Sequence, residues 1–112
     1  MPYTDAQTRP YFNEHPSEAK QPGDLTYVIY RPVYKMWKDE PRYSTFHALT
    51  VGQRNPARIP QTVKAAMVGL ISGGADRDWV FGAYDCALLE LWTRHVSVYE
   101  NAKFLENGDV EI

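Results

Sequence analysis

A long amphipathic stretch over residues 75–108 constrains the fold of this chain more than any other feature of its sequence. Its apolar positions recur at i, i+3, i+4 and i+7, which is the spacing of one helical face. Asp76 and Asp78 stand where they can cap the first free N–H groups, and Asn107 with Gly108 is typical of a helix end. We therefore predict one long C-terminal helix whose apolar stripe is Val80, Tyr84, Ala87, Leu88, Leu91, His95, Val98, Tyr99 and Ala102.

This helix would be roughly 45 Å long at a rise of about 1.5 Å per residue. A compact domain of this size is too small to cover such a helix without partners. Gly82 would let a second helix approach closely, although a glycine that the helix merely tolerates, at a cost of about 1 kcal/mol, is an equal alternative. The sequence therefore favours a homo-oligomer, a dimer or larger.

The segment that follows Asp24 can be read in two ways. Residues 25–37 fit a helical stripe across three turns, whereas residues 25–31 alone also alternate as a strand does. The helical pattern covers more positions and Asp24 can cap it, so a helix is favoured. Pro32 predicts a kink or a break within it.

Two more helices are indicated before the long one. Residues 43–49 allow a short helix, and residues 52–56 have the composition of a loop. A further helix is expected to begin with Pro60 as its first residue and to end at Gly73 and Gly74. Its apolar stripe is Val63, Ala66, Met67, Leu70 and Ile71.

These elements together predict a mainly all-α fold, a small bundle of three to four helices around the long C-terminal helix. Residues 1–23 hold four prolines among polar and charged residues, so we expect an irregular N-terminal arm there. The helical domain is then residues 24–112.

Charge and cysteine content narrow the classes of function. A net charge of −2 argues against general nucleic-acid binding over the whole surface. No apolar run approaches the roughly 18 residues of a membrane span, so no membrane association is expected. The single Cys86 allows no intrachain disulfide and favours a cytoplasmic location.

A basic segment lies between Pro41 and Ala75, where the chain carries no acidic residue. Part of it precedes a predicted helix N-terminus, which itself favours anions, and arginine adds bidentate contacts to phosphate or carboxylate. The alternative is that these cations only balance acidic residues elsewhere in the fold. The candidate anion-binding residues are Arg42, His47, Arg54, Arg58 and Lys64.

Aromatic residues are the second candidate surface, with eight tyrosines and three tryptophans in 112 residues. Tyrosine and tryptophan are enriched at interfaces, although a small core that uses aromatic rings to gain buried area is the alternative. Either Trp37 or Trp92 could anchor a partner protein, and Arg94 could pair with Glu90 or belong to a polar site. The candidate interface or pocket residues are Tyr34, Trp37, Trp92, Arg94, His95 and Tyr99.

No arrangement of residues predicts a catalytic centre. His15, His47 and His95 are too scattered for metal-ligand spacing, so neither a metal nor another cofactor is expected. Cys86 is expected to be a small buried side chain, because the neighbouring Asp85 does not favour a reactive thiolate.

The segments MPY, LTYVIYR, EPRY and LELWTRHVSVYENAKFLENGDV resemble a family of small uncharacterised proteins of tailed bacteriophages and prophages. The resemblance covers about half of the chain and departs from the family pattern at Pro32 and over residues 50–74. It implies a largely helical protein with a long helix before an Asn-Gly-Asp tail. It supplies no catalytic residues.

Two classes of function follow from these observations. The first is a non-enzymatic bacteriophage accessory protein that binds a host protein or a nucleotide-like anionic signal in the host cytoplasm and counters host defence. The alternative is a small enzyme acting on a phosphorylated or nucleotide substrate, with Arg54, Arg58 and Lys64 holding the anion and His47 or His95 moving protons. The missing catalytic arrangement favours the first class.

Overall fold

The computed structural model describes residues 5–107, and every regular element in that range is helical. The predicted all-α class is confirmed, and residues 25–31 are helix rather than strand. Shorter turns join the α-helices, namely 3₁₀ turns at Pro16–Glu18 and Pro56–Arg58 and a π-turn at Trp92–Val96. The helices are α1 (Arg9–Glu14), α2 (Pro22–Asp39), α3 (Tyr43–Arg54), α4 (Gln61–Ser72), α5 (Arg77–Leu91) and α6 (Ser97–Asn107).

The predicted long C-terminal helix is confirmed, since α5, the π-turn and α6 follow one another without a break from residue 77 to residue 107. Asp76 caps its start, because its carboxylate accepts a hydrogen bond from the backbone N–H of Trp79 at 3.0 Å. The predicted stop at Gly108, the tail after it and residues 1–4 of the predicted arm lie outside the described residues.

The π-turn changes which side chains of the long helix are buried. A π-turn holds one more residue than an α-turn, so the buried face passes from Leu91 to Val96, five positions later. The sequence stripe placed Val98 on that face, and this part of the prediction is wrong because Val98 is 61% exposed. Tyr99, which the predicted stripe also contains, is half-buried, whereas its last member, Ala102, is exposed.

The core lies between α2 and α5, which pack along each other, and both α3 and α4 contact this pair. Its side chains come from the faces that helical spacing predicts. Full burial of each leucine, isoleucine or valine contributes about 1.5–3 kcal/mol. Those with no exposed surface are Leu25, Ile29, Val33, Leu49, Val63, Leu70, Val80, Leu91 and Val96.

Helix α2 runs through Pro32, so the break that was one expected outcome is not found. An interior proline removes a backbone hydrogen bond and costs about 3 kcal/mol or more. Ile29 and Val33, on either side of it, are fully buried, and their packing against the core offsets this cost. The helix also begins earlier than predicted, with Pro22 in its first turn and no cap from Asp24.

Residues 9–19 are more ordered than the predicted irregular arm. They form α1 and the first 3₁₀ turn, and they bury Phe12 and Ala19 in the core. The end of α4 passes so close to this turn that a Cβ built on Gly73 would lie 2.1 Å from the carbonyl oxygen of Ser17. Only glycine at this position allows the N-terminal segment to approach α4 so closely.

The prediction that Cys86 is buried is wrong, because its side chain is exposed. Helix α5 buries Ala83, Tyr84, Ala87 and Leu88, and position 86 points away from that face. The predicted apolar stripe itself leaves Cys86 out, so helical spacing was the better guide to its environment.

Tyr84 joins α5 to α3 inside the core. Its side chain is 1% exposed, and its hydroxyl donates a hydrogen bond to the backbone carbonyl of Leu49. A Cβ built on Gly52 would lie 2.8 Å from the same hydroxyl, so the glycine leaves the room that the ring needs. Burial, followed by the charge of the neighbouring Asp85, raises the pKa of Tyr84 to about 12.

We predict that the protein loses stability between about pH 10 and pH 12 through Tyr84. The unfolded chain gives up the phenol proton near pH 10, whereas the folded protein keeps it to about 12, so the free energy of unfolding falls by about 2–3 kcal/mol across this interval. Urea unfolding at a series of pH values, followed by circular dichroism, measures this free energy. Tyr84→Phe should reduce its decrease between pH 10 and pH 12, and should lower the free energy of unfolding by about 1 kcal/mol at neutral pH.

Tyr43→Phe, at an exposed ring, is the matched control and should keep the wild-type pH profile. An unchanged profile in Tyr84→Phe would contradict the role assigned to this hydroxyl.

Candidate functional site

The short helix predicted over residues 43–49 is present as α3, and it extends to Arg54, so residues 52–54 are helical and only residues 55 and 56 of the predicted loop lie outside α3. The chain then turns at Asn55, whose side-chain oxygen accepts the backbone N–H of Ala57 at 3.2 Å. Pro60 occupies the N-cap position of α4, one residue before the first helical residue, Gln61, so it lies just outside the helix that it was expected to begin. Arg54 is therefore the last residue of α3, and Arg58 is the last residue of the 3₁₀ turn that precedes α4.

The structure brings together two of the five candidate anion-binding residues in one depression. His47 and Arg54 line a surface depression of about 280 Å³ on α3, with Tyr43, Thr50 and Gln53 among its other described lining residues. Thr50 directs its hydroxyl to the carbonyl oxygen of His47, 2.8 Å away. We call this the α3 depression.

The other three candidates lie elsewhere. A guanidinium nitrogen of Arg42 is 3.4 Å from a carboxylate oxygen of Glu40. The ammonium of Lys64 donates to the carbonyl oxygen of Ala57 at 3.4 Å, and Arg58 is not among the described lining residues of the α3 depression. The five candidate residues therefore do not form one cluster around a single point.

The chemistry of the α3 depression is mixed. The rings of Tyr43 and His47 are stacked with centroids 6.4 Å apart, which offers a flat surface beside the guanidinium of Arg54. Gln53, however, donates its amide N–H to a carboxylate oxygen of Asp85 at 2.9 Å. This negative charge lies next to the depression and opposes anion binding there.

The candidate aromatic residues form pairs between α2 and the long helix. The Tyr34 ring lies 4.7 Å from the imidazole of His95, centroid to centroid. Trp37 meets Tyr99 edge to face at 5.6 Å, and Trp37 is only 4% exposed. These contacts hold α6 against α2, and Trp37 therefore packs in the core and is not an accessible anchor.

Trp92 is the more accessible of the two candidate tryptophans, at 38% exposed. Its ring lies 5.5 Å from that of Phe46, which in turn lies 6.2 Å from Tyr43. A row of rings therefore runs from the π-turn across α3 to His47. Sequence reasoning missed Tyr43 and Phe46 as site residues, although Tyr43 stands three positions before Phe46 and four before His47, which makes it a helical neighbour of both.

Arg94 and His95 lie on the π-turn and have different surroundings. Arg94 pairs with Glu90 at 2.8 Å, which confirms the ion pair that their spacing predicts. His95 is half-buried against Tyr34, and burial, followed by the positive charge of Arg94, lowers the pKa of its imidazole.

Residues 5–107 contain no group of three or more histidine, cysteine, aspartate or glutamate side chains placed to hold a metal ion. In the same part of the chain, no helix combines the length and the apolar character that crossing a bilayer requires.

Helix α6 carries an exposed row of apolar side chains, Val98, Ala102 and Leu105, which we call the α6 stripe. Their spacing of four and three residues places them on one side of the helix. Val98 is 61% exposed and Leu105 is 87% exposed. Tyr99, which faces α2, belongs to a different side of the same helix.

Comparison with known proteins gave no matching family model, no matching curated protein and no matching solved structure. The candidate surfaces of this chain are therefore argued from its own geometry.

We predict that His95 makes the protein less stable in mild acid. Because the folded-state pKa is lowered, the unfolded chain takes up the proton more readily. The contribution of His95 to the free energy of unfolding is therefore fully present above the ordinary histidine pKa of about 6.5 and is lost as the pH falls below it. Urea unfolding midpoints measured from about pH 7.5 to pH 5 should fall less in His95→Gln than in the wild type.

His47→Gln, which removes an exposed imidazole, is the matched control and should leave the wild-type slope in place. Equal slopes in His95→Gln and the wild type would show that the packing on Tyr34 does not exclude the charged imidazole.

Proposed function

We propose that this chain is a non-enzymatic accessory protein that binds a host protein through the α6 stripe. The resemblance to bacteriophage proteins supports a role in the host cytoplasm during infection, where binding would counter host defence. The observation that carries the proposal is the exposure of Val98 and Leu105, at 61% and 87%. A helix of a small protein normally turns such a row toward its own core.

The contacts of α6 explain why the stripe stays open. The Tyr99 side of the helix packs on Trp37, and the adjacent side that carries the α6 stripe is turned away from this contact. Burial of Val98 and Leu105 against a partner would each contribute about 1.5–3 kcal/mol to the free energy of binding. The small Ala102 between them allows the partner to approach closely. A groove on a partner protein that accepts one face of a helix fits this arrangement.

A double variant of the α6 stripe tests this proposal. Val98→Glu with Leu105→Glu should keep the fold, because both side chains are exposed, and should abolish capture of the host protein by tagged protein in lysates of infected bacteria. The matched control is Val68→Glu with Ile71→Glu on α4, which are 55% and 36% exposed. Quantitative mass spectrometry compares the captured proteins.

Retention of the same captured protein by the α6 double variant would contradict the proposal. So would its equal loss from both double variants, because the stripe would then have no specific role.

The homo-oligomer is proposed on a different surface, the outer side of α5. A Cβ built on Gly82 would meet nothing within 4 Å, and Trp79 beside it is 50% exposed. A helix of a second copy could therefore approach α5 closely at Gly82. Light scattering on the purified wild type and on both double variants would give a dimer mass in each case, whereas a monomer would contradict this proposal.

Binding of a nucleotide-like anion is the second candidate function, and the α3 depression favours it. His47, Arg54 and the flat ring of Tyr43 line one space, which suits a base beside a phosphate. A small enzyme for a phosphorylated or nucleotide substrate would use the same residues, with His47 moving the proton.

We predict that Arg54→Glu weakens binding of adenosine monophosphate by about tenfold or more in calorimetric titration, because it replaces a guanidinium by a carboxylate. Arg42→Glu is the matched control, since Arg42 lies beside Glu40 and is not a described lining residue of the depression. Equal affinities in the two variants would exclude the α3 depression as the site. Breakdown of the nucleotide during the titration would favour the enzyme.

A further inference from the structure

A cavity of about 260 Å³ opens between the N-terminal segment, α2 and α4. Its wall is largely apolar. Phe12 and Pro16 form it on the N-terminal side, Val28 and Pro32 on α2, and Ala66 and Gly69 on α4. The cavity is separate from the α6 stripe and from the α3 depression, because the described lining residues belong to neither.

One charged side chain, Arg31, is among the described residues that line this cavity. Arg31 is exposed, and within residues 5–107 it forms no ion pair with an acidic side chain. The hydroxyl-bearing side chains of Ser17 and Thr62 also line the space and add hydrogen-bond donors. An apolar interior with a guanidinium and two hydroxyls is complementary to a molecule with an apolar body and one anionic end.

Gly69 keeps the α4 side of the cavity open. A Cβ built there would meet nothing within 4 Å, so the space beside this glycine is empty of described protein atoms. Its neighbours Ala65 and Ala66 also carry the smallest side chains, and both line the cavity. Larger residues at these positions would fill the space without any strain in the helix backbone.

We propose that this cavity binds a small anionic amphiphile, a medium-chain carboxylate, with its chain between α2 and α4 and its carboxylate on Arg31. The volume lies just below the roughly 300 Å³ at which sites for drug-sized ligands begin, so a single alkyl chain fits it. A carboxylate matches the planar fork of a guanidinium and takes two parallel hydrogen bonds from it. The proposal does not depend on the proposed function.

Decanoate is the probe, used below the concentration at which it forms micelles and titrated into the full chain by isothermal calorimetry. Arg31→Gln should weaken binding about tenfold or more, because it removes a charge-assisted pair but keeps a polar side chain of similar length. Decanol and decylamine share the chain but not the negative charge and should bind at least tenfold more weakly. Decyl sulfate separates a requirement for carboxylate from a requirement for negative charge alone.

Two leucine variants locate the bound chain. Gly69→Leu fills this cavity and should abolish decanoate binding, whereas Ala48→Leu adds a leucine side chain to the exposed face of α3, outside the described cavity lining, and should leave binding unchanged. Both positions lie inside a helix and leucine is a good helix former, so thermal melts should show no loss of stability in either variant. A retained melting temperature then assigns lost binding to the filled cavity.

The proposal is overturned if decanoate does not bind, if Gly69→Leu binds it as the wild type does, or if Ala48→Leu loses binding as well. Equal binding of decanol, or an unchanged affinity in Arg31→Gln, overturns the role of the carboxylate. Binding of decyl sulfate as tightly as decanoate supports an anionic amphiphile and removes the preference for carboxylate.

Discussion

The apolar face of α2 packs along that of α5, and α3 and α4 pack against this pair. Ile29 and Val33 on α2 and Val80 and Leu91 on α5 have no exposed surface. This contact is strong enough to keep α2 helical across Pro32. Tyr84 then ties α3 to α5 through a buried hydrogen bond, so the surface of α3, with its row of rings, is placed by the same core.

The candidate surfaces differ in how far the core controls them. Tyr34, Trp37, His95 and Tyr99 pack between α2 and the long helix, so they fix the position of α6. The α6 stripe, on an adjacent side of that helix, stays exposed. The cavity beside Arg31 also depends on the core, because α2 and α4 form two of its walls.

Much of the fold could be predicted from local spacing. The stripes on α2, α4 and α5 repeat with helical periodicity, and Asp76 caps the long helix as its position indicates. No local spacing in the sequence predicted the π-turn, which accompanies the contacts of His95 with Tyr34 and of Tyr99 with Trp37. The order of residues 9–19 was also missed, because their proline content hides the burial of Phe12.

The candidate site was predictable only in part. Sequence reasoning found the basic segment, and the structure places just His47 and Arg54 of it in one depression. It also found the ion pair of Glu90 with Arg94. No pattern in the sequence indicated the cavity beside Arg31, because its wall combines three segments that are distant in sequence and consists mostly of small or apolar residues.

The π-turn determines which face of α6 points outward. The wider turn accommodates one extra residue, so deleting one residue from positions 92–96 would return the turn to α-geometry and leave the facing of α6 unchanged. A regular α-turn of unchanged length would instead rotate α6 by about 100° and carry Val98 toward α2 in place of Tyr99. The outward face of α6 is therefore set by the geometry of one turn as well as by the side chains of α6 itself.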